Sequence, residues 1–544
     1  MRHLVAAALL CCLCAPARAE LDLKLSGWVS SDIRYRIAGV EPRDPPVPSQ
    51  WQLLNNGWSR NENRVRAALS IGLGSKVKAV ADAELMMFGF SDLRDLDSST
   101  LRDRVDPYYL ELHAAYVDIN HLLPGLDLRI GRQVVPWGAA DKFNPVSNLN
   151  TLDLSDPLQF GRALANNMIR ADYQVPLLDV TLTAVVVPVF RPAQLPRTAP
   201  IALLDPLRPP PISDELVARA IDDGRQIYLV DRPECQDALR RMLPACNPLT
   251  VDVSVLQPEI SGRNTQFAFR IARSIFGQDV ALSYYRGRFG IPVPVYSLLT
   301  GTLTQTVARI ALHYPRVDVL GLEVAGSIQK LGGLGYWAEL GINFPEEARL
   351  GLYEEVLTGQ LRAIEYLRQP DGTVAPSFSP LGSHAPERPV VVERTPFWKG
   401  TFGVDYSIGA HVYVNLQYVH GFIDEFGAGR APRPRRDAKN VQEQPRWETR
   451  IGDYLVGGVD VKVLSDRLLL RLFGVFKLPS LDWATQRFDD WVPTGVLFPQ
   501  VVWTVWDATE LMIGGFLMLG DRSSKFGDPA AGGSELFVKA RVSF

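Results

Sequence analysis

The sequence predicts an all-β fold, an antiparallel transmembrane β-barrel of about 18–20 strands whose long outer loops carry one or two short helices. Three observations lead there. Apolar and polar residues alternate with period two in segment after segment, the signature of strands whose two faces meet different media. Hydrophobic residues make up 47% of the chain, yet beyond the first twenty residues no 18-residue run is uninterrupted, which excludes spanning helices. A barrel reconciles the two, because outward and lumenal residues alternate and dilute the hydropathy. Finally, short turns take turns with long connections, as expected when a barrel has brief turns at one end and extended loops at the other.

At the amino terminus Arg2 and His3 precede an apolar stretch, Leu4 to Leu13, and then Ala17-Arg18-Ala19. This reads as a cleavable secretory signal peptide over residues 1–19, with 20–544 forming a single barrel domain. Cys11, Cys12 and Cys14 leave with the leader, since Leu10, Cys11 and Leu13 before them do not suit lipoprotein processing. The first strand, 21–37, places Leu23, Leu25, Val29, Ile33 and Tyr35 opposite Lys24, Asp32, Arg34 and Arg36. Strand 64–73 follows, and the Gly74-Ser75 turn leads into 77–85. Further strands are expected at 108–119, 126–134, 168–175, 180–190, 266–275, 280–289, 304–314, 317–328, 336–344 and 350–356. The series continues at 397–408, 411–422, 449–463, 467–478, 496–506, 510–519 and 535–544. With both ends on one side the strand number must be even; losing or merging a pair would leave eighteen.

The long connections are 38–58, 91–106, 135–165, 191–260, 357–395, 424–447 and 479–495. In 191–260, Ser213 can cap a short helix over 214–221. Cys235 and Cys246 sit close together in a chain sent to an oxidising compartment, so a structural disulfide is expected. Aromatic residues gather near strand ends, among them Tyr108, Tyr109, Tyr284, Tyr285, Phe397, Trp398, Trp503 and Trp506, as an interfacial girdle would require.

The final strand puts Leu536, Val538, Ala540, Val542 and Phe544 on one face and Glu535, Lys539, Arg541 and Ser543 on the other, with Phe537 out of phase. This ending resembles the closing strand of bacterial outer-membrane barrels, in which a terminal aromatic residue, here Phe544, marks the chain for the barrel-assembly machinery. The densest motif runs from Gly131-Arg-Gln through Trp137-Gly138 and Asp141 to Phe143-Asn-Pro145. Over roughly 126–175 the chain resembles an uncharacterised group of bacterial outer-membrane barrels that carry these elements, and it is more loosely similar to alginate-export and porin-type channels. The resemblance implies an outer-membrane location, lipid as a partner and a channel; it supplies no substrate.

Physically, 126–134 is a strand that ends before Pro136, which cannot donate to a ladder. Trp137-Gly138 suits an interface anchor and a sharp turn, and Ser155 or Asp156 can cap a helix from Pro157 to about Ala165. So much local structure suggests a constriction loop, 135–165, folded into the lumen; an ordered outer loop clear of the pore is the alternative. Alternation puts Arg129, Gln133, Arg170 and Asp172 on the lumenal face. Trp137, Asp141, Asn144 and Asp153 join them as candidate constriction residues. Arg132 falls on the outward rim unless a bulge near Gly131 turns it inward. Elsewhere Arg64, Arg66, Arg309, Lys539 and Arg541 are lumenal, opposed by Asp82, Glu84, Glu111, Glu323, Glu339, Asp405 and Asp460. Both signs occur, which serves a solvated interior or a selectivity filter. The oxygen-rich run Asp141, Asn144, Asn148, Asn150, Asp153 and Asp156 lacks the spacing of an EF-hand, and local Asx turns account for it without a metal.

The chain has 57 Lys and Arg against 60 Asp and Glu, and losing Arg2 and Arg18 with the leader leaves 55 against 60, a net charge of −5. That mild acidity argues against a nucleic-acid partner. Gly-x-Ser-x-Gly and His-Glu-x-x-His are both missing, and His113 and His313 stand without an evident nucleophile, so no enzyme and no cofactor is expected. The function expected is passive or substrate-selective passage of solutes; a non-conducting barrel with a structural, adhesive or assembly role is the alternative.

Overall fold

The computed structural model describes residues 21–38, 57–93, 95–196, 198–199, 249–301, 306–346, 348–356, 360–368, 374–380, 390–392, 396–427, 451–479, 481–482, 487–488, 493–520, 524–527 and 531–544. The signal peptide, the helix expected at 214–221 and the Cys235–Cys246 pair lie outside them.

Eighteen strands form one closed antiparallel barrel. They are β1 (Leu21–Ala38), β2 (Gly57–Leu73), β3 (Val77–Phe88), β4 (Tyr108–Leu123), β5 (Leu126–Gln133) and β6 (Asn166–Val175). Next come β7 (Val180–Val187), β8 (Gln266–Ile275), β9 (Gln278–Arg288), β10 (Arg316–Ile328), β11 (Leu334–Pro345) and β12 (Phe397–Ile408). The last six are β13 (Val412–His420), β14 (Asp453–Val463), β15 (Leu468–Leu478), β16 (Gly495–Trp506), β17 (Thr509–Leu519) and β18 (Ser534–Ser543). Each pairs with its sequence neighbour, and β18 returns to β1 from Trp28↔Ser543 to Ala38↔Ser534. Closure leaves no unpaired edge. At this seam Phe544 and Gly27 exchange both backbone hydrogen bonds at 2.9 Å. The Phe544 ring fills the place where a Cβ on Gly27 would stand, 2.6 Å from its Cζ.

Two expected strands are not in the wall. Those at 304–314 and 350–356 are Thr306–His313 and Ala348–Val356, members of a separate seven-stranded sheet built from the long connections. The register shows why. β9 pairs directly with β10 from Asp279↔Ala325 to Arg288↔Arg316, and β11 with β12 from Gly335↔Asp405 to Asn343↔Phe397, so no slot remains between them. Arg309 therefore sits off the barrel wall rather than on its lumenal face.

Alternation assigns the two faces as the pleat dictates. On β1, Val29, Ile33 and Tyr35 are exposed outward, whereas Ser30, Asp32 and Arg34 are buried inside. The aromatic residues divide by the same rule. Tyr108, Trp398, Trp503 and Trp506 face out, but Tyr285 and Phe397, each the neighbour of an outward aromatic residue, are buried within. Phe537, the residue out of phase on β18, points inward and stacks on Phe498 at 5.9 Å, over the bare backbone of Gly514. Among the described residues no helix is long and apolar enough to cross a membrane.

Candidate constriction segment

Segment 134–165 leaves β5 where Pro136 ends the ladder, and its local geometry is set by short polar side chains. Asn150 accepts from Val135 N at 2.8 Å and donates to Gln133 O at 3.1 Å and Leu164 O at 2.8 Å, which staples the start of the segment to its end. Asn144 Nδ2 donates to Trp137 O and Asn148 Nδ2 to Pro145 O. Leu152–Asp153 pairs antiparallel with Arg162–Ala163, and Asp153 bridges to Gln194. Asn148, Asn150 and Asp153 of the oxygen-rich run are engaged in these contacts, and among the described residues no group of three potential ligands is arranged around a metal position.

Asp156 caps a 3-10 turn, Pro157–Gln159, by accepting from Leu158 N at 3.0 Å. The expected helix to Ala165 does not form. The turn closes at Phe160, Gly161 takes a left-handed φ of +80°, and the chain becomes strand at Arg162.

Two opposite walls hold the segment. On one side the Asp156 carboxylate takes both Nη atoms of Arg34, at 2.7 and 3.0 Å, with Arg60 at 3.3 Å and Arg64 at 3.7 Å. Arg34, 1% exposed, also grips Asp32 on its own strand, and Arg64 joins Glu62 and Glu84. Burial pushes the Asp156 carboxyl up, but Arg34, Arg60 and Arg64 outweigh it and hold it well below the usual carboxylate range. Arg162 pairs with Asp153 and, at 3.1 Å, with Glu111 on β4.

On the far side the partners are mostly backbone atoms. Glu323 Oε2 accepts from Gly138 N at 3.2 Å while bound to Arg270 at 2.8 Å; Glu339 Oε1 accepts from Ala140 N at 2.6 Å. Thr401 donates to Phe143 O at 2.7 Å and Gln417 to Asp141 O at 3.2 Å. The close approach depends on missing side chains. Gly138 has φ +89°, and a Cβ there would lie 2.5 Å from Glu339 Oε1; a Cβ on the wall residue Gly341 would lie 2.9 Å from Pro145 O. β1 and β10 stand nine strands apart in a ring of eighteen, as do β2 and β11, so the contacts cross the full lumen.

Between these anchors the segment is packed with apolar side chains. Val135, Trp137, Val146 and Leu149 join inward residues of β6, β7, β8 and β10 in one cluster. Phe143 meets Phe422, Tyr454, Val475 and Phe526 in another. Segment 421–427 is held by Glu425, which accepts from Phe422 N at 2.7 Å, Gly452 N at 2.9 Å and Tyr454, and pairs with Lys525 at 3.1 Å. Burial opposes the Glu425 charge, and Lys525 with the backbone donors more than offsets it, leaving its carboxyl below the usual range.

The residues singled out from sequence fall into three settings. Gln133, Trp137 and Asp153 are buried in the foundation of the segment, and the Asn144 amide staples its turn, so Trp137 is core and not an interface anchor. Arg129 binds Asp118 at 2.5 Å and covers the Tyr116 ring; Arg170 binds Asp172 at 2.7 Å; Asp141 is exposed at the tip. Arg132 is outward, and a bulge does occur, but on β4: His113 is skipped between Asp82↔Ala114 and Ala83↔Leu112. Arg132 Nε caps the displaced Leu112 carbonyl at 2.5 Å. The Asp156 anchor was missed. Alternation marks Arg34 and Arg64 as lumenal, but no pattern in the sequence links them to a residue roughly 90 to 120 positions away.

Residues 59–200, which contain this whole segment but less than half of the chain, match the model of a family described as a protein of unknown function, DUF1302. No curated protein matches the sequence. Among solved structures, Acinetobacter baumannii OccAB1 is similar with a TM-score of 0.46 and 9% identity over 97% of this chain and 98% of that one. A. baumannii OccAB4 gives 0.45 and 8% over 97% and 100%, and Salmonella typhi OmpF in complex with daunomycin gives 0.34 and 6% over 96% and 97%.

Proposed function

We propose that this protein is a channel of the bacterial outer membrane, anchored by its apolar outer belt, with segment 134–165 as the constriction that selects solutes. The observation that carries the reading is the pairing of faces: an exposed apolar surface outside, and inside a wall rich in ion pairs to which segment 134–165 is fixed across the diameter. Exposed apolar area on this scale calls for lipid. The ion pairs along the wall, Arg66–Asp82, Arg129–Asp118, Arg170–Asp172, Arg270–Glu323 and Arg471–Asp460, keep a hydrated lumen without a single dominant sign. Asp141, Arg129, Arg170 and Asp172 are the charges we place beside the solute path.

Planar-bilayer recording of the refolded protein tests this. Stepwise currents are expected, with larger steps after deletion of residues 138–160. A folded barrel that passes neither current nor solute would favour a structural or adhesive role instead.

A further inference from the structure

We infer that the cavity between segment 134–165 and the wall is a binding site for an amphipathic anion, an apolar or aromatic body carrying one acidic head group. This rests on the channel reading and names the class of solute it would take. The cavity has a volume of about 300 Å³. Five phenylalanines line it, including Phe143, Phe289 and Phe422, together with Trp137. Three cations also line it, Lys142, Arg288 and Lys399, and among the described residues its lining contains no Asp or Glu. That composition departs from the wall pairs named above, in which each arginine is matched by a carboxylate.

The state of each cation sharpens the point. Lys399 Nζ donates to Phe422 O at 2.7 Å and lies 5.6 Å from the centre of the Phe289 ring. The nearby carboxylates are already taken: Lys525 holds Asp424 at 2.7 Å and Glu425 at 3.1 Å. Among the described residues Lys399 and Lys142 have no ion-pair partner. Lys142 lies over the Phe473 ring at 5.7 Å. Arg288 bonds Tyr314 O and Asn264 Oδ1, and Glu346 approaches it only to 3.9 Å. Two lysines without an ion-pair partner, set beside aromatic surface, favour a ligand that brings one negative charge and buries an apolar body. A neutral molecule would leave the charges unpaired, and a cation would be repelled.

The test is equilibrium binding of 3-phenylpropionate, 3-phenylpropylamine and 3-phenylpropanol to the refolded full-length barrel by titration calorimetry. The anion is expected to bind roughly tenfold or more tightly than either analogue, and Lys399→Met to weaken it about tenfold, the worth of one charge-assisted hydrogen bond. Lys142→Met, at an exposed position, gives a second reading if Lys399→Met fails to refold, and Lys330→Met in the 329–331 turn is the control. Equal binding of the three probes, preference for the amine, or unchanged affinity in both cavity variants would overturn the inference. Because binding is read without current, a barrel that binds the anion but does not conduct would sink the channel reading alone. One that conducts without binding it would sink only this site.

Discussion

The two anchorages of segment 134–165 are fixed by different physics. At Asp156 one carboxylate meets three guanidinium groups in a buried, charge-dense cluster. At the tip, residues 138–145 are held by single hydrogen bonds to backbone atoms and by apolar packing into glycine-bared wall. A buried charge cluster is stable as a set and fails steeply when one member is lost, because the remaining charges stay desolvated. A series of backbone bonds and contacts loses strength in small steps. The base is therefore the rigid end and the tip the adjustable one.

Asp156→Ala should break this contrast most severely. Removing one partner of a buried pair costs about 3–5 kcal/mol, and here it leaves Arg34, Arg60 and Arg64 facing each other. The temperature at which the folded band converts to the unfolded band in semi-native electrophoresis should fall sharply, and channel noise should rise; an unchanged transition would remove Asp156 from the role of anchor. Lys525→Met comes next, since it strands Glu425 and Asp424, at about 2 kcal/mol for a hydrogen bond to a charged group. Gly341→Ala should cost about 1–3 kcal/mol by pressing a methyl group into Pro145 O, and should change the conductance step more than the melting temperature. Thr401→Val removes one bond to Phe143 O, worth about 1 kcal/mol. Arg132→Ala, on the outward rim, should stay within about that value.

Acid titration separates the ends again. The Asp156 carboxyl is depressed in the fold, so its contribution is present above the unfolded value of about 3.9 and is lost only as pH falls through the lower folded value. Conductance and melting should therefore be flat from about pH 7 to pH 5 as far as this anchor is concerned. A transition in that window that disappears in Asp156→Asn would contradict the assignment.

How much of this could be read beforehand follows from what alternation encodes. Period two tells which way Asp32, Arg34, Glu323 and Glu339 point, and the structure agrees on each. It does not tell which strand lies alongside. Residues 306–313 and 348–356 have the pattern of wall strands and pair elsewhere, because register and closure decide membership of the barrel. The helix expected from Pro157 had a genuine cap signal in Asp156, but Gly161 ends the turn and Arg34 claims the same carboxylate. The bulge lies on β4, one strand away from the glycine that hinted at it, and Arg132 keeps the outward position that alternation gives it. Glu323 and Glu339 were legible as lumenal charges, yet what they hold in the segment is a backbone N–H, of Gly138 and Ala140, which carries no residue-type signal.

Because the segment is tied at once to β1 and β10, and to β2 and β11, it acts as a strut across the ring. A hollow cylinder deforms most easily by flattening into an ellipse, and a strut along one diameter opposes that motion. On the proposed channel reading, the cross-section left open is set by the stretch of chain between Gly138 and Asp156 and not by the compliance of the sheet, so lengthening or shortening that stretch would resize the opening without touching a single wall strand.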